Sequence, residues 1–230
     1  MHETIETDRT LKAEVSLYYD LYAPPGAGPA PLLVALHGYG SNKGWMMRAA
    51  RECAPEGFAV AALQGLHQHM KEPREPGGPP RYGFGWLTNF RPEESVALHH
   101  RAIIDLMGAL AGEGVARRDR VFLLGFSQAC ALGYRFAFTH ADALRGVVGV
   151  CGGLPGDWET SEVYRATAAA VLHLHGTGDE FYPPGRVADY GSRLRARAAD
   201  VEVSAHDAGH ELTPAMRGEV RAWLASRAAG

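Results

Sequence analysis

The stretch "VFLLGFSQACALGY", residues 121–134, decides the fold. Its first half is a continuous apolar run of the kind that forms a strand buried on both faces. Its second half is again apolar-rich and reads as a helix over 128–140. No turn residues separate the two. The chain leaves a strand predicted at 120–126, sets Ser127 at the corner, and enters the helix at once. Such a corner presents a hydroxyl at a strand end and beside a helix N-terminus, where developing negative charge is favoured. The plainer reading makes Ser127 a helix N-cap, a frequent role for serine.

Working outward, the same strand-then-helix unit recurs. "LLVALHG" (32–38) and "FAVAALQG" (58–65) are short apolar runs, with "GWMMRAARECAPEG" between them as a helix closed by Gly57. "AEVSLYYDLY" (13–22) alternates loosely and predicts an early, antiparallel strand. A long helix is predicted over 93–112, with Glu93 and Glu94 well placed in its first turn. Strands in "LRGVVGVCGG", "AAVLHLHG" and "VEVSAHD" follow, with helices over 185–198 and 213–228. This alternation implies an α/β fold, a mostly parallel central sheet with helices on both faces, in one domain spanning 1–230.

Residues 66–92 break the rhythm, because Pro and Gly are dense there. No regular element is expected. Long structureless loops in compact domains are often lids or binding loops. Tyr82, Phe84, Trp86 and Phe90 supply apolar surface that a solvated loop does not need, so a pocket or lid loop is expected rather than a surface insertion.

Bulk properties exclude several classes. The 230 residues are 46% hydrophobic and 21% charged, ordinary for a globular protein, and the net charge of −3 is too close to neutral to argue for nucleic acid or an anionic membrane as a partner, so no nucleic acid is expected. No apolar run approaches the roughly 20 residues of a membrane span. "MHETIETDRTLKAEV" lacks the apolar core of a signal peptide. The cysteines Cys53, Cys130 and Cys151 are odd in number and scattered, as expected of reduced thiols in a cytoplasmic protein. A homodimer is compatible with the chain.

Gly125-Phe126-Ser127-Gln128-Ala129 resembles the G-x-S-x-G turn of α/β-hydrolases, in which a serine nucleophile stands on a strained strand-to-helix turn. Small flanking residues are needed because the backbone doubles back tightly. Gly125 meets that need, and Ala129 departs from the common glycine by one methyl. The resemblance implies a chain order of serine, acid, histidine. "VLHLHGTGDEFYP" offers Asp179 after a strand and turn, and "DAGHELTP" offers His210 ahead of a helix marked by Thr213-Pro214. Asp157 and Asp207 are the weaker acids by position, and His206 reads as structural or exposed. His173-x-His175 has the spacing of a metal pair, but no carboxylate or cysteine cluster joins it. His67, His69, His99 and His100 likewise supply no ligand set, so neither metal nor cofactor is expected. An oxyanion hole needs two aimed backbone donors. The amides of Gln128 and of Tyr39, in the glycine-rich "HGYGSN", are the candidates.

Taken together, "LHGYGSN", "GFSQA", "HGTGDEFYP" and "AGHEL" resemble the phospholipase/carboxylesterase group of α/β-hydrolases, which includes acyl-protein thioesterases. The resemblance covers about 30–225 and implies the same residues: Ser127 as nucleophile, His210 as base, Asp179 as its orienter, the amides of Tyr39 and Gln128 as the hole. The expected activity is hydrolysis of a small-molecule ester or thioester through an acyl-enzyme, falling below about pH 6–7 as the histidine base protonates. Trp86, Phe181 and Tyr182 are candidate pocket walls. Two other readings stay open: an acyltransferase on the same fold, and a non-catalytic binding protein that keeps the scaffold.

Overall fold

The computed structural model describes residues 5–26 and 28–228. Residues 1–4 of the polar N-terminal stretch, and Ala27 of the following Pro/Gly loop, lie outside them. Seven strands form one sheet: β1 (Tyr19–Tyr22), β2 (Ala30–Leu36), β3 (Ala59–Leu63), β6 (Ala116–Phe126), β7 (Gly146–Val150), β8 (Ala170–Gly176) and β9 (Val201–His206). Their spatial order is β1-β3-β2-β6-β7-β8-β9. All neighbours run parallel except β1, which pairs antiparallel with β3.

The continuous apolar runs are explained by burial on both faces. Successive side chains of a strand point to opposite sides. Leu32, Val34 and Leu36 therefore join Leu123, Val147 and Val171 on one face. Leu33 and Ala35 join Phe122, Leu124, Val148 and Leu172 on the other. The first face is covered by α2 (Pro92–Gly112) and α3 (Gln128–Thr139), the second by α1 (Lys43–Cys53) and α6 (Pro214–Ala228). The start of α1 is set by Asn42, whose side chain accepts the Trp45 amide at 2.9 Å. Pro92 opens α2, where its missing N–H costs nothing. Among the described residues, no helix is long and apolar enough to cross a membrane.

Three expectations are corrected. Residues 66–92 are not without regular structure. β4 (His67–Lys71) and β5 (Arg81–Gly85) form an antiparallel hairpin, and its Pro/Gly-rich tip hides two five-residue strands. The early strand begins at Tyr19 and not at 13, because its register pairs Tyr19 with the last residue of β3, Leu63, and beyond that only the Tyr18 carbonyl finds a partner, the Gln64 amide at 2.8 Å. The helix expected over 185–198 is broken into α4 (Pro184–Val187) and α5 (Tyr190–Arg195). Gly185 and Gly191 weaken helix propensity there by about 1 kcal/mol each.

Candidate active site

The parallel strands end at one edge of the sheet, and the residues singled out by sequence follow those ends. Ser127 follows β6, Asp179 lies three residues beyond β8, and His210 four beyond β9. Open α/β sheets bind ligands at this carboxyl edge.

Ser127 has φ 56° and ψ −117°, a conformation that a side-chain-bearing residue adopts only under constraint. It makes no side-chain cap of α3, so the N-cap alternative does not describe it. Its own amide donates to the Val150 carbonyl at 2.9 Å, and its carbonyl accepts from Cys130 at 3.0 Å. Gly125 is required at the corner: a Cβ there would collide with the carbonyl of Ala129. The methyl of Ala129 itself is fully buried without conflict.

Ser127 Oγ stands 2.8 Å from Nε2 of His210, and Nδ1 of His210 stands 2.9 Å from Oδ2 of Asp179. The other Asp179 oxygen, Oδ1, accepts the amides of Phe181 at 2.9 Å and Tyr182 at 3.0 Å. Burial alone would raise the Asp179 carboxyl. The His210 hydrogen bond and the two amides outweigh burial, and the group is held below its usual value. Cys151 ties the two loops from behind. Its Sγ donates to the Glu211 carbonyl at 3.4 Å. Burial foremost, then the nearby Asp179 charge, pushes the thiol up to about 12, so it remains a protonated donor.

Tyr39 and Gln128 flank the serine. Gln128 is the first residue of α3, so its amide has no intrahelical acceptor. The Tyr39 amide forms no hydrogen bond among the described residues. The loop carrying it is fixed from several sides. His37 is buried, and burial lowers its pKa to about 4. The neutral ring donates from Nδ1 to the Gly38 carbonyl at 2.7 Å and accepts the Gly65 amide on Nε2 at 2.9 Å. The hairpin closes over the same loop. Gly40 donates to Phe84 at 2.8 Å, Phe84 donates to Ser41 at 3.1 Å, and Lys71 Nζ donates to the Gly40 carbonyl at 3.0 Å. Gly40 has φ 73°, which few other residues would accept.

A cavity of about 470 Å³ opens over Ser127 and His210, walled by Tyr39, Gln128, Phe181, Tyr182 and Arg186. Phe181 and Tyr182 border it. Trp86 does not. It is fully buried, its Nε1–H donates to the His37 carbonyl at 2.7 Å, and its amide donates to Oε1 of Gln128 at 3.0 Å. Trp86 is a brace beneath both flanking loops rather than a wall. Arg186 was not singled out by the sequence, where a lone arginine after Pro-Pro-Gly carries no signal. A second cavity, about 550 Å³, opens at the opposite edge of the sheet. Its Arg227 is spent on Asp200 at 2.9 Å and Glu202 at 2.5 Å.

The competing residues lie elsewhere. Asp157 is bound to Arg135 at 2.6 Å and Tyr164 at 2.7 Å. His206 pairs with Glu219 at 2.8 Å. His173 is buried against the Tyr134 hydroxyl at 2.9 Å. Among the described residues, no three His, Cys, Asp or Glu side chains gather to hold a metal ion.

The strand order, with β1 antiparallel at the edge and helices on both faces, is that of an α/β-hydrolase. The Bacillus cereus carboxylesterase superimposes with a TM-score of 0.71 at 19% identity, over 92% of this chain and 94% of that one. Acyl-protein thioesterase 2 of Zea mays gives 0.65 at 20% identity, over 91% and 98%. Within that class, the chain belongs to the phospholipase/carboxylesterase family, whose model matches residues 23–226. A curated relative named "Putative esterase NocK", from Nocardia uniformis subsp. tsuyamanensis, is 32% identical over 176 residues, 72% of this chain. The chain spans about half the length of that relative, 46%.

Proposed function

We propose that the protein is a serine-dependent carboxylic ester hydrolase that works through an acyl-enzyme. The observation that carries this reading is the unbroken chain of contacts from Ser127 Oγ through both nitrogens of His210 to Asp179. Membership of an esterase family supports it. His210 Nε2 takes the Ser127 proton as Oγ attacks the carbonyl carbon of the ester. Asp179 holds the Nδ1–H tautomer and stabilises the imidazolium, without itself taking the proton. The amides of Tyr39 and Gln128 receive the developing oxyanion, and loss of one such donor typically costs about 10²–10³ in rate. The tetrahedral adduct collapses, and the alcohol or thiol leaves with the proton from His210. Water then enters, gives its proton to His210, attacks the acyl carbon and releases the acid. The proton returns to Ser127.

The test is hydrolysis of p-nitrophenyl esters from acetate to palmitate by wild type and by Ser127→Ala. Cleavage by wild type alone supports the reading, and the chain-length profile measures the cavity. Equal rates for both proteins would reject Ser127 as nucleophile. Adding a competing alcohol and assaying for its ester separates hydrolysis from acyl transfer.

A further inference from the structure

We propose that Arg186 is an anion-recognising residue of this cavity, and that the ester handled there carries a carboxylate or phosphate within reach of it. The inference rests on the hydrolase reading and names its substrate class.

Arg186 is the one permanently charged side chain among the cavity's lining residues. Asp179, the carboxylate of the site, is sealed behind His210 with its side chain 0% exposed, and does not line the cavity. Among the described residues Arg186 forms no ion pair. Asp189, three residues on, is turned to Arg193 at 3.6 Å.

The guanidinium is nevertheless positioned. Nη1 donates to the Phe181 carbonyl at 3.0 Å. Its carbon lies 4.7 Å from the centre of the Tyr182 ring, over the face. Phe181 and Tyr182 are themselves anchored through their amides to Asp179 Oδ1. The loop that carries the candidate acid therefore also carries the cation, and registers it against Ser127.

A carbonyl and an aromatic face orient a guanidinium without neutralising it. Its remaining N–H donors form a fork that matches two oxygens of a carboxylate or phosphate. Arg186 is itself exposed, so the contact draws its strength from charge and two-pronged geometry rather than from exclusion of water. A plain aliphatic chain gains nothing from such a group. The fitting substrates are half-esters of dicarboxylic acids, or esters of an alcohol that bears a carboxylate or phosphate.

The experiment measures binding to Ser127→Ala, which does not depend on turnover. Monomethyl succinate carries the anion on the acyl side and acetoxyacetate on the alcohol side. 2-Acetoxyethyl phosphate replaces the carboxylate; dimethyl succinate, methyl acetoxyacetate and 2-acetoxyethanol are the three neutral partners, and acetylcholine is the cationic choline ester. Calorimetry is expected to show each favoured anion binding at least tenfold tighter than its neutral partner. That ratio should collapse toward one in Ser127→Ala/Arg186→Gln, survive in part with Arg186→Lys, and favour the choline ester with Arg186→Glu. The arm with the largest ratio identifies which anion and which side of the ester the site takes. An anion-to-neutral ratio unchanged by Arg186→Gln and Arg186→Glu overturns the proposal, as does the absence of any anion preference. Wild-type turnover and labelling by a fluorophosphonate probe report separately on Ser127. Hydrolysis with an Arg186-independent ratio defeats only the anion site. An Arg186-dependent ratio without hydrolysis or labelling defeats only the hydrolase reading.

Discussion

Lowering the pH from 7.5 to 5 will destabilise this protein through its core histidines before its carboxylates titrate. His37, His99 and His173 are each fully buried. Burial holds their pKa values near 4, 3 and 3 against an ordinary 6.5, with the neighbouring His100 and His175 charges adding to the effect at His99 and His173. In the unfolded chain all three take up protons below about pH 6.5, whereas the folded chain refuses them until near pH 4 or 3. A base with a depressed folded pKa contributes stability that is complete above the unfolded value and is lost as pH falls toward the folded one. At pH 5.5 each histidine then costs about 1.4 kcal/mol, and at pH 5 about 2 kcal/mol. These three at pH 5 cost about 6 kcal/mol, comparable to the whole stability of a typical domain. They set a slope of about 4 kcal/mol per pH unit through this window, and the part-buried His100, which burial also holds near 4, adds a fourth proton to it.

The lowered carboxylates do not confuse the window. Asp179 and Asp157 have depressed folded values, so their contribution is lost only below the ordinary carboxylate range near pH 4. The assay is urea unfolding followed by tryptophan fluorescence at pH 8, 7, 6, 5.5 and 5. The midpoint should hold from 8 to 7 and then fall steeply, at constant m. His99→Phe is the site-specific control. His99 sits edge-on to Trp86 at 5.3 Å, and neither of its ring nitrogens has a partner among the described residues. A phenyl ring there should flatten the slope by about one proton, roughly 1.4 kcal/mol per pH unit. The same urea midpoint at pH 7.5 and 5.5 would refute the reasoning, since the histidines would then be charged in the folded state or open to water.

Three further outcomes are expected. Ser127→Gly relieves a positive φ that Ser127→Ala retains, a gain of about 1–3 kcal/mol less about 0.5–1 for glycine's freedom when unfolded; calorimetry should give the Gly variant a Tm about 2–4 °C above the Ala variant, with both inactive on p-nitrophenyl acetate. Asp179→Asn keeps an oxygen for the Phe181 and Tyr182 amides but can no longer hold the Nδ1–H tautomer of His210, so kcat should fall by about 10⁴ with little change in KM. Trp86→Phe leaves the buried His37 carbonyl without its indole donor, and urea unfolding should register a loss of about 1–3 kcal/mol.

The parts of the fold legible in the sequence are those whose cause is local. β2, β3 and the second half of β6, from Val121, are apolar runs because both of their faces are covered, and covering requires nothing unusual of the residues themselves. Ser127, Asp179 and His210 could be picked out because each follows a strand end, and parallel strands gather their ends at one edge. The hairpin escaped notice because β4, "HQHMK", is polar and its tip reads as loop. Its order comes from distant partners, the Ser41–Phe84 bridge and the Lys71–Gly40 contact. The burial of Trp86 is illegible for the same reason. An aromatic in a Pro/Gly-rich segment can face a cavity or the core, and here His37, far back in the chain, and His99 on α2 decide it. Arg186 has no local signature at all, because an unpaired cation is defined by what the fold fails to put beside it.

The strained corner and the sheet depend on one another. Ser127 at φ 56° and Cys151 at φ 47° end the adjacent strands β6 and β7, which are in register at Phe126 and Val150. Each is held by the carbonyl of the next strand over: Ser127 N–H on Val150 at 2.9 Å, Cys151 N–H on Leu174 at 2.9 Å. Two such conformations cost about 1–3 kcal/mol each and persist only where the surroundings over-determine them. The over-determination continues one residue further, since a Cβ at Gly152 would collide with Cys130 Cβ and with the Ser127 carbonyl. The backbone that leaves β7 therefore presses directly on the corner that presents the serine. Strain at Ser127 is thus a property of three strands rather than of one turn, and a methyl at position 152 should disturb the hydroxyl's aim more than most changes in the cavity itself.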